Sequence, residues 1–555
     1  MYLRLNQVQS YSRTRPLIRT FFQARYLPLT ASAVLMAVFY GLGRLWPYSV
    51  VAFDTLALIA AAVTVLGVYD LFQTRHAILR NYPITAHLRF LLETIRPEMR
   101  QYFFEGEKDG LPFPRDKRAI VYQRAKKDLD KRPFGTLLNV YQDQYEWLHH
   151  SMSPAPLPRV EDMRLTIGQG PQAYSASLLN ISAMSFGALS ANAIRALNKG
   201  ARNGGFYHDT GEGGISPYHR EFGGDLVWQL ASGYFGARRA DGGFDPQLFA
   251  AAAQDPQIKM LELKLSQGAK PGHGGVLPAA KITPEIAAIR GIPMGQDCVS
   301  PASHSEFSTP IGLLEFVAQM RALSGGKPTG IKLCLGHKWE FMAICKAMVE
   351  TGITPDFLVI DGKEGGTGAA PLEFMDHVGM PLRDGLSFAH NALIGCNLRD
   401  RVKIGAAGKV TSAFDIARLM ALGADWANAA RGFMFAVGCI QAQSCHTGRC
   451  PTGVTSQDPL RQRAIVVPDK AERVANFHHN TLHALAELVA AAGLAHPADL
   501  RPHHFQRRSS SDQVISFAKQ YEQLTTGQLL DDAQSAPLFR EAWALSSATS
   551  FARQG

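Results

Sequence analysis

Between Ser177 and Thr455, short runs rich in apolar and β-branched residues alternate with stretches of helical spacing, and this alternation limits the fold more than any other feature of the 555-residue chain. Eight runs read as strands: LNISAMS, GGFYHDTG, MLELKLSQ, GQDCVS, TGIKLC, DFLVIDG, VKIGAAG and WANAARG. Most are separated by helix-like stretches such as EIAAIR, LLEFVAQMRAL and AFDIARLMALG. Strands and helices in this rotation predict an α/β fold, a (β/α)8 TIM barrel, with a doubly wound sheet as the alternative. Nearly every run ends in Gly, Ser, Asp, Lys or Gln, the residue types expected where active-site loops leave a barrel. The stretch LVWQLASGYFGARRADGGFD, between the second and third runs, reads as an inserted hairpin and loop.

The N-terminal part has a different character. From Met1 to Phe53 there is no Asp or Glu, while Arg4, Arg13, Arg15, Arg19 and Arg25 precede an uncharged run from Tyr26 to Gly43. Roughly 18 helical residues at about 1.5 Å each approach the apolar thickness of a bilayer. A second apolar segment runs to Tyr69, interrupted by Asp54 and followed by Arg75, Arg80 and Arg89. Basic flanks outside both runs predict a transmembrane helical hairpin within residues 1–80, with helices at about 26–43 and 47–69 and both ends in the cytoplasm. Trp46 and Tyr48 then sit at the far interface, and the expected location is the inner (cytoplasmic) membrane with the main domain facing the cytoplasm. A buried hairpin of a soluble protein is the alternative; a cleavable signal is disfavoured, since no small-residue cleavage site follows the first run. With this distribution, the formal charge of +10 points to a membrane surface and not to nucleic acid.

Residues 81–159 are polar and aromatic and read as an adaptor, in which HLRFLLETIRPEMRQYFF is helical and stopped or kinked at Pro97. Residues 160–458 form the predicted barrel. Residues 459–555 are a helical C-terminal extension, expected to pack on the barrel first and to become loosely ordered toward its end.

Three of the seven cysteines, Cys439, Cys445 and Cys450, stand at C-x5-C-x4-C spacing with Pro451 directly after them. A disulfide is disfavoured on the cytoplasmic side of a membrane, and an odd set leaves one thiol over. Zinc would need a fourth ligand, for which His446 is available, but the spacing is not that of the common zinc patterns. An iron–sulfur cluster on three thiolates fits better, because three cysteines on one glycine-relieved loop can converge on one inorganic core. Cys298, Cys334, Cys345 and Cys396 lie in predicted strands or apolar helices and read as packing residues.

The cysteine loop CIQAQSCHTGRCPTGVTSQDP resembles the cluster-binding loop of the glutamate synthases, and the resemblance extends across the barrel. SAMSFGALS, GEGG, QLASGYFG, QGAKPGHGG and GGTGAAP occur in that family's order, from Ser177 to Asp458. The hairpin and the IRPEMRQYF and YQRAKKDLDKRPFGT segments are similar to a short, single-chain, membrane-anchored branch, the FMN-binding glutamate synthase-related proteins. The resemblance implies bound FMN and a 3Fe-4S cluster on Cys439, Cys445 and Cys450.

A flavin phosphate in such a barrel usually sits at the loops after strands seven and eight. Here they offer Gly408 with Lys409 and Arg431 with Gly432, and the loop after strand six adds Gly365, Gly366 and Thr367. Lys332 is a charged residue inside an apolar strand and is expected to face something anionic in the barrel mouth; the resemblance puts it near the reducible end of the flavin. It likewise implies that the Met184–Ser185 backbone lies against the flavin ring and that Gln229 hydrogen-bonds the ring or substrate. Lys270 and Arg290 match positions that bind 2-oxoglutarate, with Gln267 and Glu262 as further candidates in the catalytic centre. Val276 and His273 depart from the family pattern after and within the GxGG turn.

Other features bear on the partners. The first cysteine is Cys298, so the N-terminal cysteine with which large glutamate synthases cleave glutamine has no counterpart, and no strand-flanked GxGxxG dinucleotide site is found. The expected function is reductive amination of a 2-oxo acid, 2-oxoglutarate, with ammonia, fed by an electron donor such as a ferredoxin-like protein or a separate reductase. The alternatives keep the cofactors with another amine or 2-oxo acid, as in N-methylglutamate synthesis, or make the protein a non-catalytic membrane electron-transfer subunit. A homo-oligomer packed through the hairpin is compatible with the sequence.

Overall fold

Residues 23–555 are described by a computed structural model, in which the chain divides into two units, Met1–Gly110 and Leu111–Gly555. Arg4, Arg13, Arg15 and Arg19 of the basic N-terminal stretch lie outside the described residues.

In the first unit the two apolar runs form helices α1 (Leu27–Leu45) and α2 (Val50–Phe72), joined by a turn at Pro47–Ser49. Arg44 pairs with Asp54 at 3.3 Å and Thr64 donates to the Ser32 hydroxyl at 3.0 Å, so the helices run antiparallel. Asp54, the charge that interrupts the second run, thus sits at the turn end of the hairpin beside a cation. Both helices are long and apolar enough to cross a membrane. Val38, Val51, Leu58, Val65 and Phe72 are exposed on them. At the open end, buried Asp70 accepts the Ile84 N–H at 2.9 Å and pairs with His87 at 3.0 Å. Helix α3 (Thr85–Met99) passes through Pro97 instead of stopping there, and widens into a π-turn over Arg100–Phe104.

In the second unit eight parallel strands close into a barrel: β1 (Leu179–Ile181), β2 (His208–Asp209), β3 (Leu226–Leu230), β4 (Ile258–Lys264), β5 (Thr329–Leu333), β6 (Phe357–Asp361), β7 (Lys403–Ala407) and β8 (Trp426–Ala429). Closure is made by β8 against β1, with Ala427 opposite Leu179 and Asn428 opposite Asn180. The predicted number of strands is correct, but one member is not. LVWQL, expected in an insertion, is β3, buried along its whole length as a strand covered on both faces must be. Cys298–Val299, from the run GQDCVS, pairs antiparallel with Val276–Leu277 outside the barrel.

The end of the barrel away from the strand C-termini is plugged. A hairpin of Arg164–Ile167 and Tyr174–Ser177 sends Ile167, Tyr174 and Ala176 into the interior, where they pack with Tyr207, Phe357 and Trp426. The barrel interior is thus filled from that side, and the end formed by the strand C-termini is open to its own large cavity.

Five helices matter for the site or its support: α4 (Arg115–Lys126), α5 (Ala191–Gly204), α6 (Pro284–Arg290), α7 (Arg431–Ala436) and α8 (Val467–Ala491). Helix α8 packs along α5 and α4, and its buried His478 hydrogen-bonds Ser177 at 2.8 Å. Glu146–Leu148 joins Phe505–Arg508 and Val514–Ser516 in a three-stranded antiparallel sheet, with buried Glu146 held by Arg383 and Arg418. The C-terminal extension is packed on the second unit as far as Ser546. Phe539 stacks on Phe388 at 4.9 Å, and Lys346 donates to the carbonyls of Trp543 and Ser546. Apolar anchors spaced along a polar segment are sufficient to hold it.

Candidate active site

The loops at the strand C-termini enclose a cavity with about 1410 Å³ of empty space, its open mouth included. Met184, Ser185, Gln229, Gln267, Lys270, Arg290, Lys332, Gly365, Gly366, Thr367, Gly408, Lys409, Arg431 and Cys445 all line it. Residues spread over more than 250 positions of sequence are thus brought to one wall. Gly432 is not among the lining residues: it is the second residue of α7, where a Cβ would stand 3.2 Å from the Phe477 ring.

Seven cations line the cavity, Lys264, Lys270, Lys281, Lys332, Lys409, Arg290 and Arg431, against two carboxylates, Glu212 and Asp361. Among the described residues only Lys264 of the seven has a carboxylate within ion-pair distance, Glu212 at 3.0 Å. Lys270, Lys281 and Arg290 among them are buried, and buried charge without a partner is unfavourable, so this wall suits anionic ligands.

At one end, the chain leaves β7 through Gly408 and Lys409, whose φ angles of +153° and +49° form a turn that a β-carbon disfavours. Arg431 donates from Nη2 to the Thr367 carbonyl at 2.8 Å, tying the loop after β6 to the loop after β8. Its remaining N–H groups and the Lys409 ammonium form a cationic edge beside the Gly365–Gly366 backbone. Phe113 covers the same end and lies 5.9 Å from Lys409; sequence reasoning missed it because it precedes the barrel by more than sixty residues.

Across the floor, Lys332 on β5 is 4% exposed. Burial works against its charge, but Asp361, Glu262 and Asp209 outweigh that effect and hold its pKa above the ordinary value. Protein carboxylates are thus among the anionic groups it faces. Asp209 and Glu262 are both pushed upward, first by burial, and they hydrogen-bond one another, so one proton is retained between them. Gln229 donates from Nε2 to Glu262 at 2.5 Å and reaches the cavity above this pair.

Opposite the cationic edge, Arg290 ends α6 and is 6% exposed, not a surface residue. It donates to the Phe186 carbonyl at 3.2 Å and lies over the Phe235 ring, while its Nε has no partner. Gly213 makes room for it, since a Cβ there would be 2.8 Å from Nη2. Lys270 is 2% exposed, and burial lowers its pKa. Burial raises the Glu212 pKa, but Lys264, Arg290 and Lys270 outweigh it and keep this carboxyl ionised. Of the two departures from the family pattern, Val276 lines the cavity, whereas His273 turns toward Phe374, with ring centroids 5.3 Å apart. Glu212, Lys264 and Lys281 were not foreseen as site residues; Glu212 was visible only as part of the GEGG motif.

The cysteine loop borders this cavity through Cys445. Cys439 leaves α7 with its N–H bonded to the Met434 carbonyl at 2.9 Å, and its own carbonyl accepts the Tyr122 hydroxyl of α4 at 2.7 Å. Gln441 and Gln443 turn the loop at φ +59° and +55° and donate to the Leu111 carbonyl. All three thiols are free. Burial pushes Cys439 up to about 11, with Cys445 and Cys450 close enough to add to the shift. At Cys450 burial is outweighed by hydrogen bonds from Thr452 and Thr455, which lower its pKa. Among the described residues no three His, Cys, Asp or Glu side chains converge on a point where one metal ion would sit. Three cysteine thiols on one loop are the donor set that a multi-iron core takes, each thiolate on a different iron.

A family model described as the conserved region in glutamate synthase matches residues 153–495. The glutamate synthase large subunit-like protein YerD of Bacillus subtilis (strain 168) is 36% identical over 486 residues, covering 80% of this chain and 92% of that protein. The archaeal-type glutamate synthase (NADPH) of Thermotoga neapolitana is 35% identical over 314 residues, which span 56% of this chain and 59% of that protein. The glutamate synthase (NADPH) large chain of Bacillus subtilis is 33% identical over 318 residues, only 20% of its own length. This chain belongs to the glutamate synthase family and is a glutamate synthase-like oxidoreductase built on an eight-stranded parallel barrel.

Proposed function

We propose that the protein makes L-glutamate by FMN-mediated reductive amination of 2-oxoglutarate, with electrons received through a 3Fe-4S cluster on Cys439, Cys445 and Cys450. The observation that carries this reading is the row of buried cations without ion-pair partners on one cavity wall that also includes a cysteine of the C-x5-C-x4-C loop. Balanced, the reaction takes a 2-oxo diacid, an ammonium ion, two electrons and two protons to an amino acid and water. Bound FMN supplies the two-electron transfer to the imine carbon, and the cluster supplies the one-electron entry.

Lys409 and Arg431 hold the phosphate end, with the Gly365, Gly366 and Thr367 loop kept in place by the Arg431 contact to the Thr367 carbonyl. The Met184–Ser185 backbone and Gln229 orient the ring. Lys270 gives a point contact to one substrate carboxylate, and Arg290, with a free Nε and a fixed guanidinium plane, takes the other in a fork. Gln267 flanks the same space. The ionised Glu212 fixes Lys264 and keeps the cluster of cations from repelling itself. Asp209 and Glu262 hold a proton beneath the site, beside the Lys332 ammonium.

The hairpin of α1 and α2 is proposed to span the inner membrane with both ends on the cytoplasmic side, in keeping with its exposed apolar faces. Residues 81–159 act as the adaptor, 160–458 as the catalytic barrel and 459–555 as its clasp. Ammonia arrives free or from another protein, and the electron donor is a ferredoxin-like protein or a separate reductase.

A second reading, N-methylglutamate synthesis, is favoured by one observation: Val276 places an apolar side chain on the cavity wall where the family pattern has a polar one. Product analysis of dithionite-reduced enzyme given 2-oxoglutarate with ammonia, and separately with methylamine, distinguishes the two. Glutamate from ammonia supports the first reading; N-methylglutamate alone supports the second.

A further inference from the structure

Among the described residues Lys281 is a buried cation of the cavity that neither the phosphate end nor the substrate end employs and that, unlike Lys264 and Lys332, has no carboxylate beside it. It closes a short turn at Ala279–Lys281, just before α6, and is 3% exposed. Its ammonium donates to the Ala188 carbonyl at 2.9 Å and the Cys445 carbonyl at 3.3 Å. The first of these carbonyls belongs to the loop after β1, whose Met184–Ser185 turn faces the cavity; the second belongs to the cysteine loop.

Two carbonyls orient an ammonium but do not cancel its charge. Among the described residues no carboxylate lies within ion-pair distance of Lys281, and the ionisable groups whose charge reaches it are Cys445, Cys450 and the like-charged Arg290. A buried ammonium in such surroundings is strongly unfavourable unless an anion accompanies it. Among the described residues the neighbour able to hold such an anion is the cysteine loop, whose Cys445 carbonyl the ammonium already contacts.

We propose that Lys281 is the fixed counter-charge of the thiolate-held group, and that it raises the reduction potential of that group while fastening the cysteine loop to the loop after β1. This rests on the reading of Cys439, Cys445 and Cys450 as iron–sulfur ligands. A positive charge held beside a redox centre favours its more negative, reduced form, and net charge and hydrogen bonding around the sulfurs are among the levers that set such potentials. Lys281 is a positioning and tuning residue by this reasoning, not a catalytic one. The ten residues from Lys281 to Arg290 then serve two ends of the cavity, with a cation at the cysteine loop and a cation at the substrate.

The test uses full-length protein with Lys281→Gln and Lys281→Arg beside the parent, each assayed first for iron and acid-labile sulfide and then titrated by EPR for the midpoint potential of its cluster. Expected is a more negative potential for Lys281→Gln, a value near the parent for Lys281→Arg, and flavin content equal in all three. Loss of iron in Lys281→Gln with retention in Lys281→Arg also supports the counter-charge. An iron-replete Lys281→Gln with the parent's potential overturns the proposal while leaving the ligand reading intact, and so does iron loss in both variants. A parent protein without iron or sulfide overturns the ligand reading itself, and the proposal with it.

Discussion

Glu212 and Lys264 form a 3.0 Å ion pair at the C-terminal mouth of the barrel, and it is the one such pair among the seven cavity cations of the described residues. Burial raises the Glu212 pKa, but Lys264, Arg290 and Lys270 outweigh it and bring it below the ordinary 4.5. A carboxyl depressed in the folded state stabilises the protein fully above its unfolded value and loses that contribution as pH falls toward the folded value. Glu212→Gln should therefore destabilise the protein at pH 7 by about 3 kcal/mol, since it leaves Lys264 buried and unpaired. The difference from the parent should shrink as the pH is lowered through the carboxylate range, as read by thermal or urea denaturation. An unchanged difference down to acid pH would contradict the electrostatic assignment.

Arg290 holds its plane against Phe235 and the Phe186 carbonyl while its Nε is left without a partner. Arg290→Ala should reduce kcat/KM for the 2-oxo acid by about 2–3 kcal/mol, roughly thirty- to two-hundred-fold, chiefly through KM, with flavin absorption unchanged. Arg290→Lys should recover only part of this, because an ammonium cannot make the fork. Equal kinetics for the parent and Arg290→Ala would remove Arg290 from the substrate site.

Beneath the cavity, Lys332 is sustained by Asp361, Glu262 and Asp209. Lys332→Met should destabilise by about 3 kcal/mol or more, because Asp361 and the Asp209–Glu262 pair lose their shared cation. Adding Asp209→Asn should restore part of the loss. The Asp209 pKa is raised above the ordinary 3.8, by burial first and then by Glu262. An acid raised in this way contributes stability that is complete below its unfolded value and declines as pH rises through the folded one. Asp209→Asn alone should thus flatten that decline in a pH series of denaturation curves; a steeper decline would contradict the shared proton.

Tyr48 sits at the turn of the N-terminal hairpin with its side chain fully exposed. In intact cells, Tyr48→Cys should react with a membrane-impermeant maleimide, while cysteines introduced on the surface of residues 111–555 should react only after lysis. Labelling of Tyr48→Cys solely in lysed cells would contradict a spanning hairpin with both ends in the cytoplasm.

The fold was legible in the sequence wherever a strand combined an apolar run with a polar end, as in TGIKLC and DFLVIDG, because those patterns reflect burial on both faces and exit into a loop. It was misread at LVWQL, read as part of an inserted hairpin and loop, and at GQDCVS, where two extended residues resembled a strand but had no place in the barrel. Cationic site residues on Gly-rich loops, such as Lys270, Lys409 and Arg431, were identifiable because charge and backbone freedom coincide there. Lys281 and Phe113 were not, since nothing local distinguishes them and only the tertiary fold carries them to the cavity. Gly432, a loop glycine in sequence, lies in the first turn of α7 against Phe477 in the structure.

The most direct measurement is the anaerobic reoxidation of reduced full-length protein, followed by flavin absorbance in a stopped-flow instrument, on mixing with 2-oxoglutarate and ammonium. Prompt return of the oxidised flavin bands, with L-glutamate formed in proportion to flavin and neither reactant effective alone, is the predicted result. Flavin that stays reduced in the presence of both, with no L-glutamate formed, would contradict the proposed activity.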